Sequence, residues 1–427
     1  MNNDCEITPT KTAVVDWRNA DFFQDVVSSD LQLPVEDFTI LDVSVANATE
    51  KTAGYMSLMH RVTLQVQVHE RKATSSATGE SQLKRLSFIV KEKSEKAFGG
   101  EMVDMMRAFP KEMEVYATML PAFEKLWEDV GDKVKFGPRV FKVTSTPFTV
   151  IVMEDLKPTG YRMKECNAGL SQQDCETVLQ KLAKFHAASV VYHEQNGPYP
   201  DDFKDGMFSE GLIAEFEQYY APLFDSYLQA LGELRYPAQI IEALKPMRGK
   251  IYSKASHLFK LDPAKFNVLN HGDVWINNIQ FNDHDLLLLD YQISFYGSPS
   301  FDLLYFIINS ASLDVRTEKF DHLIDHYHRH LVEGMQKLNA KTSIPSLQEL
   351  HADIQAHGFL VCVTSMEGLA MMLAMPDLEL DMDLLGSMEP AGVEFRRKLF
   401  TNARFVKMIE KLMPFMWEKG FLVDGME

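Results

Sequence analysis

The segment that most constrains this chain is Asn270–Asn278, NHGDVWINN, read together with the twelve residues after it. Ile279–Phe281 is apolar, Asn282–Asp285 is polar and turn-forming, and Leu286–Asp290 is again apolar until it ends in aspartate. Two short apolar runs around such a turn predict a tight hairpin. A hairpin returns the chain to where it started, so Asp290 is expected beside Asp273 and Asn278. Each of the three could instead cap a turn or end a strand. Four residue identities and one structural element would then have to agree by accident.

The pattern resembles the catalytic core of protein-kinase-like phosphotransferases, in which His-x-Asp is followed five residues later by Asn and then by an Asp after a hairpin. That chemistry needs a carboxylate to orient the attacking hydroxyl and hard oxygen ligands to hold magnesium on the phosphates. The resemblance gives Asp273 the first part and Asn278 and Asp290 the second. His271 is expected to be structural. Gly272–Trp275, Asn277–Asn278 and the later SPSFDLLYF narrow the resemblance to the ecdysteroid kinase-like family, relatives of choline kinases and aminoglycoside phosphotransferases. In that family Asp302 would brace the catalytic loop.

The resemblance implies an α+β, bilobal protein-kinase-like fold, with a β-rich lobe over 1–155 and a helical lobe over 156–427. The chain agrees with this at each level. Arg61–Val68 alternates polar and apolar residues, and Arg85–Lys93 and Phe148–Met153 carry the β-branched and aromatic residues that suit a sheet. KATSSATGESQ between the first two is an expected hairpin tip. Residues 101–127 show a helical pattern interrupted at Pro110 and Pro121. Ser171 with Asp174 predicts a capped helix through Ser189. Further helical patterns cover 209–260, 316–338, 346–374 and 390–418.

In the first lobe the resemblance assigns Lys91 to the α- and β-phosphates, with Lys93 as the fallback. Glu112 of the FxxExxxY pattern would pair with Lys91, with Glu114 as its alternative. Glu154, Asp155 and Leu156 would form the hinge that binds the adenine edge. Gly54 is the one glycine in the stretch where family members have a glycine-containing phosphate loop. ATP and Mg2+ are the implied cofactors. The acceptor is expected to be a small-molecule hydroxyl of sterol or xenobiotic type, and the helices within 209–260 and 346–374 are the expected walls of its pocket. Tyr291 and Gln292 stand where protein kinases have Phe-Gly, and no activation loop comes after them, which disfavours a peptide acceptor.

The remaining features exclude more than they select. There are 61 acidic against 43 basic residues, a net charge of −18, which disfavours nucleic-acid and anionic-membrane partners. Four scattered cysteines suggest neither a zinc ribbon nor a disulfide framework. The beginning of the chain lacks an apolar core of signal-peptide length, and Phe359–Met375 is broken by Glu367 and Gly368. A cytoplasmic monomer is therefore expected. His322, His326 and His330 lie at four-residue spacing but suggest a solvated helix face, and His186 a packed core histidine. No GxxxxGK[ST] or GxGxxG motif appears. The alternative reading is a kinase-fold protein that binds a small molecule or nucleotide without catalysis.

Overall fold

The computed structural model describes residues 16–48, 57–69, 81–93, 104–166, 168–375 and 377–422. Gly54 of the expected phosphate loop, most of the expected hairpin tip after Arg71, and Cys5 lie outside them. The chain divides into two compact units. One comprises Met1–Ser94 and Arg139–Asp155, the other Glu95–Pro138 and Leu156–Glu427.

The first unit is built on an antiparallel sheet of five strands: β1 (Phe38–Asn47), β2 (Ser57–Val68), β3 (Gln82–Lys93), β4 (Val140–Thr144) and β5 (Val150–Glu154). Their spatial order is β1-β2-β3-β5-β4. Alternation along β2 points Val62, Leu64 and Val66 to one face, where they meet Phe88 and Val90 of β3 and Val150 and Val152 of β5. Helix Gln24–Leu31 contributes Val26 and Val27 to this core, and Trp17 and Phe23 complete it. β1 escapes a reading by periodicity because its register shifts between Ile40 and Asp42. Such a bulge resets the two-residue alternation.

The second unit is mainly helical. Ser171 caps helix Gln172–Asn196 by accepting from the Asp174 amide at 3.2 Å. The helix outruns its expected end by seven residues, stopping at Gly197 with φ +83°. Against it packs helix Phe320–Lys337, which buries the Leu323, Ile324, Tyr327 and Leu331 stripe read from sequence. Helix Ser300–Ser310 is buried along its whole length, as its run of apolar residues requires.

Two expectations are corrected here. Residues 108–129, placed by sequence with the first lobe, group with the second unit. Trp127 donates its indole N–H to the Lys184 carbonyl at 3.1 Å, and Phe123 meets Phe185 edge-on. Nor do the prolines break this stretch. Pro110 lies in the first turn of helix Ala108–Glu114, and Pro121 in the first turn of helix Leu120–Asp129, after a π turn over Val115–Met119. First-turn prolines cost nothing because their missing N–H has no intrahelical partner.

The second unit also holds two small antiparallel pairs, β6 (Val268–Asn270) with β9 (Phe295–Gly297), and β7 (Ile279–Phe281) with β8 (Leu286–Leu288). The second pair is the expected hairpin, shorter than read: only Leu286–Leu288 is strand, and the chain turns away before Asp290. Among the described residues no single helix is long and apolar enough to cross a membrane. The Phe359–Ala374 stretch is broken at Glu367, whose φ of −109° and ψ of −85° are not helical.

Candidate active site

β6 delivers the chain into His271-Gly272-Asp273, and the loop is fixed from behind by Asp302. This carboxylate, fully buried near the start of helix Ser300–Ser310, accepts from the backbone N–H of His271 at 2.6 Å and of Gly272 at 2.9 Å. Its Oδ2 also meets His186 Nε2 at 3.1 Å, and His186 Nδ1 lies 2.8 Å from the Tyr327 hydroxyl. The bracing inferred for Asp302, and the packed role inferred for His186, are thus present. Bonds to a buried carboxylate are among the stronger ones available to backbone amides.

Gly272 is required by this geometry. Its φ is +84°, and an added Cβ would lie 2.2 Å from the Ile293 carbonyl oxygen. The loop presses this closely because the Asp290–Ser294 segment wraps against it. Ser294 Oγ donates to the His271 carbonyl at 3.1 Å. His271 is buried and its Nδ1 accepts from the Asp273 amide at 3.2 Å. Burial pulls its pKa below the ordinary value, against the pull of Asp302 and Asp290. A neutral, enclosed imidazole suits the structural part expected of it.

The loop joins Asp273 to Asn278 directly. The Asn278 side-chain amide donates to the Asp273 carbonyl at 2.9 Å and to Asp273 Oδ2 at 2.8 Å. With Nδ2 committed on both counts, Asn278 turns its Oδ1 the other way. The hairpin then brings Asp290 back. The Leu289 amide donates to the Asn278 carbonyl at 2.8 Å, so Asp290 emerges one residue beyond a backbone link to Asn278. Asp290 has φ +70°, a left-handed conformation that side-chain-bearing residues adopt at some cost. Its N–H donates to the Tyr116 hydroxyl at 3.3 Å. Tyr116 is the tyrosine of the FxxExxxY pattern, so the helix carrying Glu112 is tied to the turn carrying Asp290. Tyr291 is locked inside, donating its hydroxyl to the Phe136 carbonyl at 3.0 Å and meeting Tyr116 edge-on.

Glu112 is buried and Glu114 only partly so, which separates the two candidates for that position. In the first unit Lys91 is 3% exposed, whereas Lys93 is half-buried. Burial of an ammonium is costly and marks Lys91 as the more unusual of the two. Lys91 stands opposite Met59 on β2 and Ile151 on β5, on a mid-sheet strand rather than a frayed end.

The hinge stretch is more committed than the sequence suggests. The Asp155 carboxylate accepts from Arg61 Nε at 2.8 Å and Ser87 Oγ at 2.6 Å, a clamp across the sheet. The Glu154 amide donates to the Arg139 carbonyl at 2.8 Å. The Leu156 carbonyl accepts from Thr159 Oγ1 at 3.0 Å and from the Tyr161 amide. An adenine edge would have to use other backbone groups of this stretch.

Two residues that sequence reasoning missed stand beside the loop. Tyr305 donates its hydroxyl to Asp273 Oδ1 at 2.9 Å. Burial and then the neighbouring carboxylate push its pKa well above the ordinary tyrosine range, so it stays a donor. Its one signal in the sequence is its place three residues after Asp302 on the same helix, one turn further on. Glu367 sits at the break between helices Phe359–Met366 and Gly368–Ala374 and accepts from the Tyr220 hydroxyl. Burial raises its pKa, opposed by the Tyr220 and Tyr219 hydroxyls, and its charge reaches Tyr305. The helical stretches 209–260 and 346–374 thus meet at this carboxylate. In the sequence Glu367 reads only as an interruption.

The histidine row is less solvated than expected. His322 Nε2 lies 2.7 Å from Glu176 Oε1, His326 Nε2 3.1 Å from the Glu176 carbonyl, and His330 Nδ1 2.9 Å from Glu333. His322 and His326 thus meet helix Gln172–Asn196, while His330 bonds within its own helix.

Against known proteins, residues 51–340 match the profile of the ecdysteroid kinase-like family. The chain belongs to that family. The match takes in Lys91, Glu112, Asp273, Asn278 and Asp290 and ends before Glu367. Among solved structures, choline kinase from Cryptosporidium parvum Iowa II is similar at 12% identity, over 89% of this chain and 91% of that one, with a TM-score of 0.45. An amicoumacin kinase in complex with AMP-PNP, Ca2+ and Ami is similar at 12% identity, over 84% and 88%, with a TM-score of 0.41. The GDP complex of an aminoglycoside phosphotransferase gives 11%, 86%, 96% and 0.39. No match is found among curated proteins. Family membership and the element order, an antiparallel sheet followed by a helical unit carrying the loop and hairpin, make this the α+β protein-kinase-like fold.

Proposed function

We propose that this ecdysteroid kinase-like family member is an ATP- and Mg2+-dependent phosphotransferase that phosphorylates a hydroxyl group of a small molecule. The observation that carries the reading is the Asp273–Asn278 pair, bonded to each other on a loop held by Asp302 and followed through Leu289 by Asp290. Oxygen-bearing side chains preorganised on one loop and the turn after its hairpin are what phosphoryl transfer asks of a protein, because its catalysis is mostly positioning and electrostatics.

Asp273 would accept the hydrogen bond of the acceptor hydroxyl and aim it. Both its oxygens already accept one bond each, from Tyr305 and Asn278. These two bonds fix the direction in which the carboxylate points. The residues fit a hard divalent cation. Asn278 offers Oδ1 and Asp290 a carboxylate, the oxygen donors that magnesium prefers. Bound there, magnesium would neutralise charge on the ATP phosphates as the γ-phosphoryl group passes to the acceptor. Lys91 would contact the α- and β-phosphates and Glu112 would hold Lys91, while the backbone of Glu154–Leu156 would take the adenine. Tyr291, anchored to Phe136, keeps the Asp290 turn in one arrangement without a regulatory loop.

The acceptor we favour is an ecdysteroid or another largely apolar alcohol. Tyr219 and Tyr220, with Phe216 packed on them, supply aromatic surface beside Glu367, whose carboxylate would receive a second polar group of the acceptor. We further infer that the protein acts in the cytoplasm as a monomer.

The test is transfer of γ-labelled phosphate from ATP to a panel of sterol, choline-type and xenobiotic alcohols, with and without magnesium. Magnesium-dependent labelling of one class supports the reading and names the acceptor. Absence of nucleotide binding would favour the non-catalytic alternative instead.

A further inference from the structure

On the Cys166 side of Asn277, the second unit forms a half-open cavity of about 290 Å³. Its floor is Arg316, and Leu313, Met372, Leu373 and Met408 form apolar walls. Arg404, Lys407 and Cys166 also line it. In a chain carrying net charge −18, three cationic side chains around one cavity run against the overall balance.

Arg316 is the unusual member. It is 1% exposed, yet the partners of its guanidinium are neutral. Nε donates to the Ala311 carbonyl at 2.9 Å, Nη2 donates to the same oxygen, and Nη1 lies 3.2 Å from Met408 Sδ. The carbonyl closes helix Ser300–Ser310, so the contact caps a helix end but supplies only partial negative charge. A guanidinium has five N–H donors, and these bonds use three. A buried cation without a carboxylate is costly unless something completes its shell. The acidic groups nearby are engaged elsewhere, Asp377 with Arg404 and Asp314 with Lys411. Lys407 is exposed.

We propose that this cavity binds a small amphiphilic anion, with its charged head on Arg316 and Lys407 and its apolar body against Leu313, Leu373 and Met408. The volume holds about ten water-sized atoms at ~30 Å³ each, which sets the ligand near ten non-hydrogen atoms. The site is separate from the proposed acceptor wall but touches the catalytic loop, since Cys166 Sγ donates to Asn277 Oδ1 at 2.6 Å. A ligand here would cover Cys166.

That last point supplies the test. Octanoate is the probe, and octanol of equal length is the uncharged control. Alkylation of Cys166 in the full chain is followed by peptide mass spectrometry, with the buried Cys175 and Cys362 as internal references. Octanoate should slow Cys166 alkylation saturably and raise the thermal midpoint, while octanol at the same concentration does neither. Lys407→Gln, an exposed change that spares the fold, should weaken octanoate binding roughly fivefold, the scale of one exposed ion pair. Arg316→Gln should abolish binding if that variant folds. Equal protection by octanol and octanoate, or an octanoate affinity unmoved by Lys407→Gln, overturns the assignment. So does the absence of protection at saturating octanoate.

Discussion

Asp302→Asn is the perturbation whose cost can be worked most directly from the structure. The asparagine keeps the shape of the side chain but replaces one carboxylate oxygen with an NH2 group. Asp302 accepts from two backbone amides through different oxygens, His271 on Oδ2 and Gly272 on Oδ1. In either amide orientation, one backbone N–H then faces another donor inside a fully buried site. The loss of one charge-assisted bond costs about 1.5–3 kcal/mol, and the unmet donor adds about 1–3 kcal/mol. The expected destabilisation is therefore about 2.5–6 kcal/mol, a large part of the ~5–15 kcal/mol that holds a typical domain. Urea unfolding should show a midpoint lowered accordingly. Amide exchange at His271 and Gly272 should accelerate more than exchange along β3, which belongs to the other unit. A change below about 1 kcal/mol with protection of both amides intact would refute the claim that Asp302 holds the loop.

Three further outcomes are expected from neighbouring contacts. Tyr305→Phe should lower kcat about tenfold to a hundredfold while leaving the KM for ATP within twofold, because it removes the bond that orients Asp273 without touching the nucleotide residues; steady-state kinetics checks this. Glu367→Gln should raise the KM of the acceptor several-fold with the KM for ATP unchanged, if the wall receives a polar group of the acceptor. Lys111 is buried and donates to the Asp205 carbonyl, and burial lowers its pKa to about 8 against the pull of Asp205 and Asp202. Its folded pKa lies below the unfolded value of 10.5, so the unfolded chain binds more protons between those values. Stability should then rise, by up to about 3 kcal/mol, from pH 8 towards 10.5, and urea midpoints of Lys111→Met should lack that part of the rise.

The loop and the hairpin that carry the candidate site were legible in the sequence. Asp273, Asn278 and Asp290 are close in sequence, and a tight turn leaves little freedom in how they meet. Gly272 and Asp302 belong to the same motif and fall where the motif implies. Tyr305 and Glu367 were not legible, for different reasons. Tyr305 acts through a contact between elements more than thirty residues apart in sequence, and tyrosine in an apolar helix carries no mark of it. Glu367 resembled a helix defect because its hydrogen-bond partner Tyr220 lies about 150 residues earlier. In the fold, β1 was hidden by its bulge. The grouping of 108–129 with the helical unit was hidden because Trp127 and Phe123 declare no partner in sequence. The hinge shows the opposite failure: the motif placed it, but the backbone bonds of Glu154 and Leu156 and the Asp155 clamp depend on Arg139, Thr159 and Arg61.

In the proposed reaction Asp273 aims the acceptor while Asn278 and Asp290 hold magnesium on ATP. The most direct measurement is magnesium-dependent phosphate transfer by Asp273→Asn and Asp290→Asn beside wild type, with nucleotide binding measured on the same samples. Asp273→Asn should still bind ATP with magnesium but lose turnover by about 10²–10⁴-fold. Asp290→Asn should lose turnover together with the magnesium dependence of nucleotide binding. Turnover near the wild-type rate in either variant, or loss of magnesium-dependent binding in Asp273→Asn alone, would contradict it.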